Sequence, residues 1–221
     1  ELTARFVTGR DVAPQGEKGA ELVYLKSGAC GPGFCCSANN GLDCAWGAVK
    51  VLRALVRVPE AERTELIQAA LDAAVELLFS ADPATAAYPA GYSDKPSRSW
   101  FRFGFPVFYV TDVLQTPEAL TEAGYGGDPR LAATYDFIRS KRAKTGVFSM
   151  TGTPAGNIYC LAGNLGAALQ DLGFGTDPRL QEALELTARF VTGQGVAPQG
   201  ENGAELVYLK SGACGSGFCC S

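Results

Sequence analysis

The chain has 221 residues, 47% hydrophobic and 19% charged, so a sizeable core can be buried. A net charge of −4 argues against nucleic acid or an anionic membrane surface as a partner, since both select a basic face, and no apolar run is long enough to span a bilayer. The absence of histidine excludes a Ser-His-Asp triad, a Cys-His pair and any His-ligated zinc site.

The chain opens on Glu1 with neither an initiator Met nor a signal-peptide pattern, and so reads as a processed or excised portion of something longer. Residues 1–37 contain an extended stretch, Ala20–Leu25, and then the cluster Cys30-Gly-Pro-Gly-Phe-Cys35-Cys36. The spacing of Trp46, Val49, Leu52 and Leu55 predicts a helix over 44–57. Pro59 with Glu60 and Glu62 starts a second helix over 60–79, whose apolar positions Ile67, Leu71, Ala74, Val75 and Leu78 form one face. Further helices are expected over 106–123, 129–143, 157–172 and 177–192. Long Gly/Pro-rich loops at 9–43, 80–104 and 144–156 exceed the usual connection length, and loops of that length are commonly functional.

Two internal repeats organise these elements. Residues 1–37 return as 185–221 with four differences, Arg10/Gln194, Asp11/Gly195, Lys18/Asn202 and Pro32/Ser216. The chain is therefore one unit, 1–184, followed by the start of a near-identical second, 185–221. Inside the unit, Leu120–Leu131 matches Leu169–Leu180 at an offset of 49 residues. Each stretch reads as a helix end, a tight turn and a new helix. Gly124 and Gly173 sit where the chain must take positive φ. Asp128 and Asp177 are expected to cap the next helix, with Pro129 and Pro178 in its first turn. These are αα-hairpins, three per unit when 44–79 is included, and the fold class is all-α.

The G-[YF]-G-x-D-P-R-L turns resemble the repeats of the prenyltransferase and squalene-cyclase (terpenoid cyclase) superfamily. So do the segments Cys44–Lys50, Phe103–Tyr109 and Tyr159–Asn164, and the resemblance runs from about residue 35 to 195. The stretch Arg130–Phe148 also resembles that superfamily's glutamine–tryptophan motif, with Arg142 in the glutamine position, Gly146 matching and Phe148 replacing the tryptophan. The resemblance implies an α/α-toroid, in which about six hairpins close into a ring with inner helices lining a cavity; one unit supplies three, so two units would close the ring or continue as an open spiral. The superfamily's catalytic signatures are missing. There is no D-x-D-D run and no His for a zinc set, and Cys30 and Cys214 are followed by Gly-Pro-Gly and Gly-Ser-Gly where thioester domains carry C-G-E-Q.

In a toroid the inner-helix starts face one mouth of the cavity. This makes Trp46, Trp100, Phe105, Tyr109, Asn157, Tyr159 and Asn164 candidate ligand-binding residues for an apolar, isoprenoid-like molecule, although large apolar side chains are more often plain core. Helix N-termini there would favour an anion or a thiolate, which makes Cys44 and Cys160 candidate nucleophiles; Asp112, a charge on an otherwise apolar helix, is the candidate acid, with a cap or a salt-bridge partner as its plain alternative. Cys30, Cys35, Cys36 and Cys44, with Cys214, Cys219 and Cys220, are disulfide candidates, and a disulfide-stapled loop would favour an extracellular or cell-surface setting. No cofactor is expected. Zinc on Cys30, Cys35, Cys36 and Cys44 is the alternative, against a spacing that lacks the usual C-x2-C pairs. Two functions remain, a repeat scaffold that self-associates into a larger assembly or filament, and an enzyme or binding protein for an apolar small molecule.

Overall fold

The computed structural model describes residues 1–24, 31–103, 111–141, 159–198, 200–201 and 203–208. The chain is mostly helical with little strand. It divides into two compact units, Glu1–Thr134 and Tyr135–Ser221, a boundary 50 residues before the start of the second sequence copy at 185.

The first unit opens with α1 (Leu2–Thr8), a helix the sequence patterning missed because it is only seven residues long, closed by Gly9 at φ 73°. Strands β1 (Val12–Pro14) and β2 (Leu22–Tyr24) pair in parallel, Val12 opposite Leu22. Then come α2 (Ala45–Leu55) and α3 (Glu65–Phe79). Helix α3 begins at Glu65 and not near 60 because the Thr64 hydroxyl accepts the Ile67 N–H at 3.3 Å, a side-chain cap that fixes the start of the helix. Residues 60–62 form only a single tight turn.

Helix α3 packs on both α1 and α2, and α2 also packs on α4 (Gln115–Glu122). The apolar stripe of α2, Ala45, Ala48, Val49, Leu52 and Leu55, is buried, with Ala48, Val49 and Leu52 retaining no exposed surface. A different side of α2 meets α4 in a ladder of constant offset. Thr111 Oγ1 donates to the Trp46 carbonyl, Lys50 Nζ to Gln115 Oε1, Arg53 pairs with Glu118 and Arg57 with Glu122, every pair 65 residues apart. Contacts that advance together along both helices mean that α2 and α4 run parallel.

The helix expected over 106–123 is helical only from Gln115 among its described residues; residues 104–110 lie outside them. Beyond α4, Gly124 turns the chain at φ 92°, and residues Pro129–Leu131 form a short turn before α5 (Ala132–Ser140). Arg142, Gly146 and Phe148 lie outside the described residues.

The second unit contains α6 (Tyr159–Leu169) and α7 (Pro178–Thr192), which pack on one another across a turn where Gly173 takes φ 86°. The older repeat is reproduced in detail. Asp128 Oδ1 accepts the Arg130 N–H and Asp177 Oδ1 the Arg179 N–H, both at 2.9 Å, and each arginine closes a fork back onto its own aspartate. Strands β3 (Val196–Pro198) and β4 (Leu206–Tyr208) repeat the first pair, Val196 opposite Leu206.

These forks carry a pH dependence. The side chain of Arg130, and then its backbone N–H, hold the Asp128 carboxyl down to about 2, and Arg179 holds Asp177 below the usual carboxylate range in the same way. A carboxyl depressed in the folded state stabilises it above the unfolded value of about 3.9, and that contribution is lost as pH falls through the folded value. The far-UV ellipticity of wild type is therefore expected to fall between about pH 4 and pH 2, with a flatter profile in the Asp128→Asn/Asp177→Asn variant. Superimposable titrations would show that the forks carry no such linkage.

Candidate functional site

A cavity of about 580 Å³ opens in the first unit. Its geometry starts from a tight reversal of the chain. Cys36 N–H donates to the Leu42 carbonyl at 3.1 Å and Cys44 N–H to the Phe34 carbonyl at 2.9 Å, while Asn40 and Gly41 turn the chain at positive φ. Asparagine and glycine are the residues that tolerate that conformation. The reversal brings Cys35 and Cys36 beside Cys44, the residue before α2, and all three line the cavity.

Asn39 ties this reversal to the loop that follows α3. Its side-chain amide donates to the carbonyls of Asp43 at 2.8 Å and Pro89 at 3.0 Å, and its Oδ1 accepts the Gly91 N–H at 2.9 Å. The loop so held supplies Tyr88 and Trp100 to the opposite wall. Trp100 is 2% exposed and donates Nε1–H to the Pro83 carbonyl at 2.8 Å. Tyr88 donates its hydroxyl to the Leu78 carbonyl at 2.8 Å, and the two rings lie 5.3 Å apart. Burial, with the nearby Asp82 carboxylate, pushes the Tyr88 phenol well above its ordinary value. Each indole or phenol has its polar atom satisfied, leaving its face for apolar contact. Helix α1 supplies Thr3, Phe6 and Val7, and α2 supplies Trp46 and Lys50.

Trp46 and Trp100, both expected at a ligand site, are thus brought together in one cavity. Phe105, Tyr109 and Asn157 lie outside the described residues, as do the side chains of Tyr159 and Cys160. Asn164 is half-buried on α6 in the second unit. Asp112 is not among the cavity's lining residues: it is 2% exposed, and its Oδ1 accepts the N–H groups of Leu114 and Gln115, each at 3.0 Å. Its carboxylate holds the turn that leads into α4, whose N-cap position is Leu114.

Cys44, the candidate nucleophile, lines the cavity. Desolvation by burial raises its thiol above the ordinary value and the neighbouring Cys36 adds to the rise; the backbone N–H groups of Gly47 and Trp46 oppose this without reversing it. Loss of water therefore outweighs the helix start. The disulfides expected of this cluster are not formed by the described thiols, since Cys35, Cys36 and Cys44 are free. Among the described residues no group of three or more Cys, Asp or Glu is placed to hold a metal ion. Cys30, Cys214, Cys219 and Cys220 lie outside them.

The sequence reading missed Lys50, Tyr88, Phe6 and Phe34. Lys50 had a usable signal, since it lies one helical turn beyond Trp46 and so on the same face. Its ammonium is held below the ordinary value by burial and by Arg53, with Asp112 and Glu118 opposing. It is the one cation among the cavity's described lining residues. No family model matches the chain, and no curated protein or solved structure matches it either.

The tie between Asn39 and Gly91 is tested at Gly91, where an added Cβ would run into the Asn39 backbone carbonyl. Gly91→Ala is expected to destabilise by about 1–3 kcal/mol, the usual cost of overpacking against backbone, read as a lower urea midpoint at unchanged slope. An unchanged midpoint would mean that the two loops are not held together.

Proposed function

We propose that the chain is a repeat scaffold of the α/α-toroid kind, whose near-identical units join one another into a larger assembly. The observation that carries this reading is that the duplicated segment takes the same local structure twice. Gly9 and Gly193 end their helices at φ 73° with ψ 10° and 9°. The strand pairs have the same register, and Arg5 pairs with Glu21 as Arg189 pairs with Glu205. A segment that folds alike at both ends is suited to forming the same junction again and again, and a head-to-tail junction gives a ring if its rotation closes and a filament if it does not. Native mass spectrometry of the full chain is expected to give a ladder of masses in steps of the 23.2 kDa chain, and a single 23.2 kDa species across the concentration range would sink the reading.

A second reading is favoured by one specific observation, the aromatic cavity of the first unit. Walls of Phe6, Phe34, Trp46, Tyr88 and Trp100 with a single ammonium at Lys50 suit an apolar, isoprenoid-like molecule with a polar or anionic end. The chain has two tryptophans and both line this cavity, so their emission reports on it directly. Titration with farnesol or farnesyl diphosphate is expected to give a saturable change in Trp fluorescence, lost in Trp46→Phe and weakened for the diphosphate in Lys50→Met. Emission that does not respond to either probe would remove the cavity as a binding site.

A further inference from the structure

The two copies of the duplicated helix bury different sides. In α1, Ala4 is fully buried and Val7 nearly so, while Leu2 is 60% exposed. In the C-terminal half of α7 the pattern is reversed. Phe190, the copy of Phe6, is buried at 6% exposure and Leu186, the copy of Leu2, is half-buried, whereas Ala188, the copy of Ala4, is exposed and Val191, the copy of Val7, is only half-buried.

Residues 186 and 190 fall on one side of a helix and 188 and 191 on another, rotated by about 150°. The repeated sequence Glu-Leu-Thr-Ala-Arg-Phe-Val-Thr thus carries two apolar faces. One is used by α7 against α6, the other by α1 against α3. Each copy leaves open the face that the other one covers.

We infer that the Ala188/Val191 face of α7 is a docking surface for a second copy of this chain, on whose α3 it takes the place of α1. The occupant is identified by the chain itself, because α1 is already seated on α3 and residues 1–9 and 185–193 are identical. Exchange of identical elements between copies costs little, since the packing given up within a chain forms again between chains. The four differences between the copies leave untouched every residue that α1 buries.

The exchange also rebuilds part of the cavity wall. Thr3, Phe6 and Val7 of α1 line it; of their copies, Thr187 and Val191 are half-buried and the same residue types, while Phe190 stays buried in its own chain. At such a junction one chain supplies that wall and the next supplies α2 and the loop carrying Tyr88 and Trp100, so the cavity becomes a site shared between copies.

The inference rests on the scaffold reading and names its surface, and the test separates the two. Sedimentation velocity of the full chain over a concentration series is expected to show mass rising with concentration. Ala188→Glu, at an exposed position that leaves the fold unaltered, should weaken association at least tenfold. Ala4→Glu, which expels the chain's own α1 and frees the seat on α3, should strengthen association at least tenfold, and adding Ala188→Glu to it should return monomer. Association that is insensitive to Ala188→Glu overturns the docking surface while the scaffold reading stands. Wild type and Ala4→Glu both monomeric throughout would overturn the two together.

Discussion

The seating of α2 between α3 and α4 governs the rest of the first unit, and its two sides rest on different physics. Ala48, Val49 and Leu52 have no exposed surface left, and each large apolar side chain fully buried is worth about 1.5–3 kcal/mol. The Arg53–Glu118 and Arg57–Glu122 pairs are partly solvated, and pairs of that kind contribute about 0.2–1 kcal/mol each. The apolar stripe therefore supplies the stability. The polar ladder supplies register, because a one-residue slip of α4 along α2 would separate Lys50 from Gln115 and both arginines from their glutamates.

The cavity follows from that placement. Its inner wall is Cys44 and the first two turns of α2, and its far wall is the loop anchored by Tyr88 and Trp100 through the carbonyls of Leu78 and Pro83. The two walls are held apart by backbone geometry, with Asn39 bridging their edges, and so the aromatic faces do not collapse onto one another. Desolvation acts on the polar groups that remain. It raises the thiol of Cys44 and lowers the ammonium of Lys50, in both cases favouring the neutral form.

Where local chemistry decides the structure, the sequence was legible. The Gly124 and Gly173 turns, the Asp128 and Asp177 caps and the prolines behind them depend on a few adjacent residues, and all appear where the pattern puts them. Helix α1 was missed by periodicity, since seven residues hold few turns, although its identical copy at 185–192 lies in the helix expected over 177–192. The start of α4 was misplaced because residues 111–114 form a turn held by the Asp112 carboxylate, which periodicity does not encode. The cavity was half visible. Trp46 and Trp100 stand out by residue type, but their convergence, and the arrival of Tyr88 and Phe6 beside them, depends on long-range contacts such as Asn39 to Gly91 that no local pattern carries.

The differences between the two copies bear on what specifies the repeated segment. Asp11 holds φ 54°, a left-handed backbone that strains most side chains, and its copy Gly195 holds φ 68° with no such strain. Asp11 pairs with Arg5 at 3.3 Å, which offsets part of that strain; Gly195 has no carboxylate to offer and does not need one. The backbone path is the same in both, so it is not dictated by the residue at this position. What the copies share is the left-handed glycine ending the helix, the arginine reaching the glutamate before the second strand, and the parallel register. Those features connect the helix to its strands as one body. A segment whose shape is fixed internally can be covered by different neighbours at its two occurrences, as α3 covers one copy and α6 the other. That independence of shape from surroundings is what a joining element between repeats requires, and it explains why substitutions are found at 10, 11, 18 and 32 and none in the helix itself.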